Sequence, residues 1–471
     1  MSPSELVKQL EVVMPANVLL LAGVVVLTLG LFGQLATNRN ILGGASIIGM
    51  ILASFFVYSM TPSESPAMGL FECDRLFISS CWLTLLGGGL VMLIGWDYVP
   101  TRHVSEYYSC VLFMLSGLMY TAGSTDLTSL FLGLELISIP TTVLLGVVSS
   151  KNSGRESTLK YFTLSAFASA IFLFGCSYLY GAAGSTSLDA IISNENNLGL
   201  TRIGLAIAVC GLFFRLTAVP FHFYAPDVFA GASLAVVGGL SFLPKVAGVV
   251  GIYKLLVGST PDFQAALAIV PLLLVAAVAT MTLGNCAALR QTSIRRVLAY
   301  SGVAHSGYLL AGLACVVVLG QGAAILTDYL SAYAVMTLAV FAVLTAIEQP
   351  QAATQSDSLK LFNGLYQRSP FLAIAATIAL LSQIGLPPTA GFWAKLQVFA
   401  SAIGAHRFDF QVVAFIMAIN AAIGAVVYLS FVNRMFSKPD SDATEVRSAG
   451  FAPGLACVGC SVLTILWFFF P

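Results

Sequence analysis

The sequence predicts an all-α polytopic membrane protein of about fourteen transmembrane helices. Three observations predict it. Of 471 residues, 58% are hydrophobic and only 9% charged, where a soluble domain carries about a quarter charged residues. The apolar runs are each about 20 residues long, enough to cross a hydrocarbon core roughly 30 Å thick. Between the runs, Lys and Arg are abundant in every second connection and scarce in the others, as the positive-inside rule requires of correctly counted spans.

The spans run roughly over 13–33, 41–60, 75–96, 104–123, 127–147, 157–181, 199–218, 231–257, 264–287, 297–319, 322–347, 369–402, 411–434 and 450–470. One set of alternate connections holds Arg39, Arg102, Lys151, Arg155, Arg290, Arg295, Arg296, Lys360, Arg368, Arg434, Lys438 and Arg447. The other set holds Lys8, Arg75, Arg202 and Arg407. A bias of twelve against four would be scrambled by one missed or invented span. It places both termini on the outer side, facing a periplasm or an intermembrane space.

Composition also narrows the function. The nine cysteines are scattered singly through the apolar runs, apart from Cys457 and Cys460, so no metal or iron–sulfur site is expected and they read as small packing residues. The net charge is zero, with no basic patch, low-complexity tail or phosphate-cradling glycine loop. Nucleic acid and nucleotides are therefore not expected partners. The first residues, MSPSELVKQLEVV, carry two acids and no arginine-rich amphipathic pattern, so no transit peptide is expected in the chain as given.

The stretch 212–245 interrupts this apolar pattern with Arg215, Pro220, His222, Pro226, Asp227, Pro244 and Lys245. Proline removes a backbone donor and clashes with the preceding turn. At membrane depth, freed backbone groups are tolerated only where they are buried in protein or line a wet cavity. The break at Pro220 has an echo at Pro387 and Pro388, about 167 residues later. The same shift carries the fourth span onto the ninth and the sixth onto the eleventh. Each unit then holds five helices, and an odd number of crossings turns the second unit upside down, as in inverted-repeat transporters. The expected division is a three-helix segment over 1–100, a first repeat over 101–260 broken near 215–230, a second over 261–436 broken near 385–392, and a last helix over 437–471.

Five basic residues fall inside the spans: Lys160, Arg215, Lys245, Lys254 and Lys395. Glu135 and Asp328 are their acidic counterparts. Lys254 lies near the end of its span and is expected to snorkel to the interface, whereas the other four are expected deep. Ionisable residues at such depth mark ion or proton paths by default. Glu135 needs a cation from an adjacent helix to stay charged, and Lys160 or Arg215 could supply it. A buried ammonium can take up and release protons near neutral pH, which suits Lys160, Lys245 and Lys395 to a proton path, while the guanidinium of Arg215 stays protonated and can only steer. His222 and His305 are candidate relays, and Asp328 is either an exit group or an end-of-helix residue. No stretch supplies a cofactor site, or a nucleophile with its base.

Together, LFLGLELISIP, ESTLKYFTLSAFASAIFLFG, RLTAVPFHFYAPDVFAGA, ALRQTSIRRVLAYSGVAHSGYLL and LLSQIGLPPTAGFWAKLQVF resemble the antiporter-like subunits of respiratory complex I, and subunit 2 most of all. The resemblance runs from about residue 100 to residue 436. It implies two inverted five-helix repeats, broken helices seven and twelve, and a central row of protonatable residues. Glu135 then matches the glutamate of helix five, Lys160 a lysine of helix six, Lys245 the central lysine of helix eight, His305 the motif of helix ten and Lys395 the lysine of helix twelve. One position departs, because Arg215 stands where the family usually has lysine, which shifts proton release toward Lys245.

The resemblance further implies proton translocation coupled to electron transfer from NADH to ubiquinone. NADH, FMN, iron–sulfur clusters and ubiquinone would be bound by other subunits and no cofactor by this chain. Its partners would be a neighbouring antiporter-like subunit, the small membrane subunits beside the quinone arm, and lipid. The departures from the common motif and the lack of a long extra domain point to a mitochondrial inner membrane, with a bacterial plasma membrane as the alternative. Two further readings stand beside it: a subunit of a multi-subunit sodium/proton antiporter, and a non-conducting structural module of a membrane arm.

Overall fold

The structure, a computed structural model, describes residues 3–33, 37–62, 69–148, 152–193, 197–257, 264–320, 323–348, 359–438 and 450–469. Among them the chain is helical, with extended pairing limited to two isolated bridges, Phe71 with Ser124 and Asp126 with Ser187. The helices of seven residues or more are α1 (Pro3–Leu29), α2 (Arg39–Ser59), α3 (Arg75–Trp96), α4 (Val104–Gly123), α5 (Leu127–Val148), α6 (Asn152–Ala183), α7a (Leu198–Leu216), α7b (Ala225–Gly231), α8 (Leu234–Leu256), α9 (Val270–Leu289), α10 (Ile294–Leu319), α11 (Ala324–Ile347), α12a (Pro370–Ile384), α12b (Ala390–Gly404), α13 (Phe408–Phe436) and α14 (Phe451–Phe469).

Among the described residues, twelve helices are long and apolar enough to cross a membrane by themselves. The remaining two predicted spans correspond to α4, whose Glu106, serines and tyrosines dilute its apolar character, and to α12a with α12b, which is broken. Predicted spans 75–96 and 104–123 coincide with α3 and α4. Helices α1 and α6 begin well before the apolar stretch does. Hydrogen bonding does not stop where hydropathy falls, so both helices overhang.

Helix α8 is the centre of the bundle. Its most apolar 18-residue window is 100% buried, whereas the equivalent windows of α2, α6 and α14 are 33% buried and form the rim. Membrane helices gain little hydrophobic drive from meeting one another and associate through close packing of small residues. That rule is visible where α6 meets α7a: a Cβ placed on Gly175 would lie 2.4 Å from the Ala208 backbone nitrogen. It recurs between α9 and α10, where a Cβ on Gly307 would lie 2.6 Å from the Met281 nitrogen. These contacts fix α7a and α10 against their neighbours, and both helices carry parts of the buried polar row.

Candidate functional site

Two broken helices organise the site, and they end alike. In α7a the Ala218 N–H donates to the Phe213 carbonyl and Thr217 N–H to Phe214, at 2.9 Å each. In α12a the Leu386 N–H donates to Leu381 at 3.2 Å and Gly385 N–H to Ser382 at 3.0 Å. This is the Schellman pattern, which needs one residue in the left-handed region. Gly385 supplies it at φ 88°, and Thr217 at φ 56°. A β-branched residue is rarely found there, and such strain gathers where surrounding structure holds a functional conformation.

A Schellman turn leaves the last carbonyls of its helix without a helical partner. At the second break the ammonium of Lys395, projecting from α12b, takes them directly: its Nζ donates to the Gln383 carbonyl at 2.6 Å and to Ile384 at 3.0 Å. A cation at a helix C-terminus also meets the negative end of the helix dipole. At the first break the Leu216 carbonyl accepts from Ser306 Oγ of α10. Tyr224 OH donates to the Phe214 carbonyl at 3.1 Å, and Val219 N–H to Thr280 Oγ1 at 3.0 Å. The backbone groups freed by the proline at position 220 therefore find protein partners, as membrane depth demands.

The polar row begins at the rim of α5. Glu135 Oε1 lies 3.2 Å from Nη2 of Arg215, which is 6% exposed in the last turn of α7a. Ser169 Oγ donates to the same carboxylate oxygen at 2.5 Å, and Arg215 Nη1 donates to Ser138 Oγ at 2.7 Å. Lys245 is next, in the fully buried α8. Its Nζ donates to the Gly302 carbonyl and, at 2.8 Å, to Ser306 Oγ, and lies 5.1 Å from the centre of the Tyr333 ring. A side chain at residue 302 would crowd that ammonium, since an added Cβ would sit 3.1 Å from it. Glycine there makes room for the lysine.

Between the two lysines stands His305, 2% exposed in α10. Its Nδ1 shares a hydrogen with Tyr329 OH at 2.8 Å, and its ring packs among Tyr308, Tyr329 and Tyr333. Two of these rings carry the lysines, Lys245 over Tyr333 and Lys395 over Tyr308. Lys395 Nζ lies 5.1 Å from the centre of the Tyr308 ring. A second strand of contacts joins the same helices, with Ser301 Oγ 2.6 Å from Tyr428 OH and 3.4 Å from Gln383 Oε1. A side pocket of about 180 Å³ reaches Lys395, lined by Tyr308, Ile384, Phe392, Phe399 and Met417.

Among the described residues neither Lys245 nor Lys395 forms a salt bridge; both ammonium groups face carbonyls, a hydroxyl and aromatic rings. Losing a proton therefore breaks no ion pair at either lysine. Arg215 differs, being paired with Glu135 and unable to deprotonate.

Two expectations are corrected. Lys160 is neither deep nor the partner of Glu135. Helix α6 overhangs, and Lys160 is half-exposed near its start, 2.7 Å from both Glu156 and Asp227. Ser169, which does bind Glu135, lies nine residues further along the same helix, a rise of roughly 13 Å. Lys254 does not snorkel. It is 5% exposed, and its Nζ sits 3.0 Å from Asp74 Oδ2 at the start of α3, because every face of α8 is enclosed. His222 lies in the turn between α7a and α7b, its buried Nδ1 without a hydrogen-bond partner among the described residues. Asp328, half-buried in the first turns of α11, accepts from Gln397 Nε2 at 3.2 Å, two residues beyond Lys395 on α12b.

Sequence reasoning missed three groups. Ser306 was visible only as a neighbour of His305, and nothing local marks it as the ligand of Lys245. Asp227 is shared by Lys160 and Arg296, the latter at 3.2 Å. Arg295, counted as a loop residue, is 5% exposed and grips both oxygens of Glu348 at 2.8 and 2.9 Å, while its Nη1 donates to the Ala232 carbonyl at 2.6 Å.

With this geometry in place, comparison with known proteins is informative. Residues 124–423 match the family described as NADH:quinone oxidoreductase/Mrp antiporter, transmembrane region. The chain belongs to that family. NADH-quinone oxidoreductase subunit N of Anoxybacillus flavithermus is 34% identical over 98% of this chain and 94% of its own length. Subunit N 2 of the same enzyme from Roseiflexus castenholzii is 35% identical over 94% and 90%. A chain of respiratory complex I from Thermus thermophilus superposes with a TM-score of 0.81 at 29% identity, covering 97% of each chain. The family member is thus an antiporter-like, multi-pass membrane subunit, and the resemblance drawn from its motifs holds.

Proposed function

We propose that this chain moves protons through the row Glu135, Arg215, Lys245, His305 and Lys395, as the antiporter-like membrane subunit of an NADH–quinone oxidoreductase. The observation that carries the reading is the pair of ammonium groups within the bundle, Lys245 fully buried and Lys395 half-buried, each beside the broken end of a helix and each free of any carboxylate among the described residues. Burying such charge has a cost that a scaffold would not need to meet, and here it is met by groups that leave the proton exchangeable.

Residues 101–260 and 261–436 act as two inverted repeats, each with one break and one central lysine. Glu135 and Arg215 form the gate at the rim. Redox energy released elsewhere in the assembly alters that pair, and the change reaches Lys245 and then Lys395 by Coulomb interaction across an interior of low dielectric. In this reading Asp328, which accepts from Gln397, is the exit group that receives protons from Lys395. Lys160 belongs to the ion cluster on α7b rather than to the row.

The chain carries no redox group in this reading; NADH, FMN, iron–sulfur clusters and quinone belong to other subunits. Its partners are a neighbouring antiporter-like subunit and the small membrane subunits beside the quinone arm. The bacterial relatives favour a bacterial plasma membrane over the mitochondrial one expected from the sequence, with both termini on the outer face.

The test is Lys395→Met in the intact complex reconstituted in vesicles. NADH-driven proton uptake per quinone reduced should fall while the complex still assembles, since the two hydrogen bonds lost and the desolvation relieved oppose one another. Full proton stoichiometry in the variant would refute the reading.

A further inference from the structure

We propose that Ser306 is a positioning residue whose single hydroxyl hydrogen links the protonation of Lys245 to the shape of the α7 break. The inference rests on the proton-path reading above and adds to it the element that couples gate to lysine.

At the second break a lysine covers the orphan carbonyls itself. At the first it does not, and Ser306 stands between: Lys245 Nζ donates to its Oγ at 2.8 Å, while the hydroxyl faces the Leu216 carbonyl. The Gly302 carbonyl, one turn earlier on α10, is a second acceptor for the hydroxyl at 3.0 Å. Thr217 Oγ1, on the strained residue, is 3.5 Å away. Ser306 is fully buried.

A hydroxyl has one hydrogen to give. When Lys245 is an ammonium it can only donate, so Ser306 must receive from it and turn its own hydrogen to the Leu216 carbonyl. When Lys245 is a neutral amine it offers a lone pair. The hydroxyl can then turn to the lysine, and the Leu216 carbonyl exchanges two donors for one, keeping only the Thr217 hydroxyl on the strained residue. No proton leaves Ser306 in either state.

Leu216 follows Arg215 directly, and Arg215 is the partner of Glu135. A shift of the gate that moves the last turn of α7a therefore moves the acceptor of Ser306. By reciprocity, what Lys245 does to that turn the turn does to Lys245. This supplies a link that Arg215 could not provide by passing a proton, because a guanidinium does not release one. The groups facing the ammonium are Ser306 and Gly302 on α10 and the Tyr333 ring on α11, with the His305 ring packed against that tyrosine.

The experiment is a double-mutant cycle of Ser306→Ala with Glu135→Gln in the intact complex, read as proton uptake per quinone reduced in vesicles. Subunit content of the purified complex checks assembly. Ser306→Ala alone should lower proton uptake about tenfold, the factor set by one hydrogen bond to a charged group. In that background Glu135→Gln should add less than about a twofold loss. Ser306→Thr, which keeps the hydroxyl, should recover most of the uptake. Two independent losses that multiply, or an assembled Ser306→Thr complex no better than Ser306→Ala, would overturn the link. Ser306→Gly serves as the hydroxyl-free variant should the alanine complex not assemble. If Glu135→Gln alone leaves uptake unchanged, the gate reading fails rather than the role of Ser306.

Discussion

Replacing Lys245 by methionine separates the structural part of this site from its function. The substitution keeps an unbranched apolar stem and removes the charged tip, at a side chain that is 1% exposed. Holding an ammonium there costs several kcal/mol of desolvation. Against this stand two hydrogen bonds, to the Gly302 carbonyl and Ser306 Oγ, worth about 1.5–3 kcal/mol each for a charged donor. The Tyr333 face adds about 1–2 kcal/mol. These terms oppose one another and are similar in size. The partners left behind also keep other bonds, since Ser306 still meets the Leu216 carbonyl. Lys245→Met should therefore change stability by less than about 2 kcal/mol, as a buried charge replaced by an apolar group of similar length often does. Proton uptake should nevertheless fall by about tenfold or more, equivalent to about 1.4 kcal/mol in the coupled step. The assay is NADH-driven quenching of a pH-sensitive dye in vesicles, normalised to quinone reduction and to subunit content. A stable variant that pumps at the full ratio would refute the reasoning, and a variant that fails to assemble would show that the ammonium is a structural pin.

Two further outcomes follow from other parts of the fold. Gly391→Ala would place a Cβ 1.8 Å from the Ser382 carbonyl oxygen, so the halves of α12 must separate; the complex should lose proton uptake even where it assembles, and normal uptake would contradict the close approach. Glu72, in the turn before α3, has its carboxyl held above its ordinary value by burial, which outweighs Lys254, with Asp74 and Asp189 adding to the effect. A carboxyl raised in the folded chain contributes stability that is full below the ordinary carboxyl range and is lost as pH rises through the raised value. Glu72→Gln should accordingly flatten the decline in melting temperature of the purified complex as pH rises above the ordinary carboxyl range, and an unchanged decline would refute that assignment.

Much of this was legible along the chain. Hydropathy located the helices, and the prolines at 220 and 387–388 located both breaks, because each of these signals is local. The pairing of Glu135 with an adjacent cation was legible too, since a carboxylate in such a helix has few ways to stay charged. Which cation it would be was not. Lys160 and Arg215 were equal candidates until helix overhang put the first near the surface and the last turn of α7a put the second beside α5. Lys254 was misplaced for a related reason: distance from a span end predicts snorkelling only for a helix with a free face, and α8 has none. The role of Ser306 lay furthest out of reach. Its partners come from α7a and α8, far apart in sequence, and a serine in an apolar helix carries no mark of what it will touch.

The most direct test of the central claim is a map of the intact assembly at a resolution that shows waters, read along Glu135, Arg215, Ser306, Lys245, His305 and Lys395. The account predicts ordered water joining these residues into a continuous chain that reaches one surface of the membrane. A dry and tightly packed axis, with each charge locked in a fixed contact and no water between Lys245 and Lys395, would contradict it.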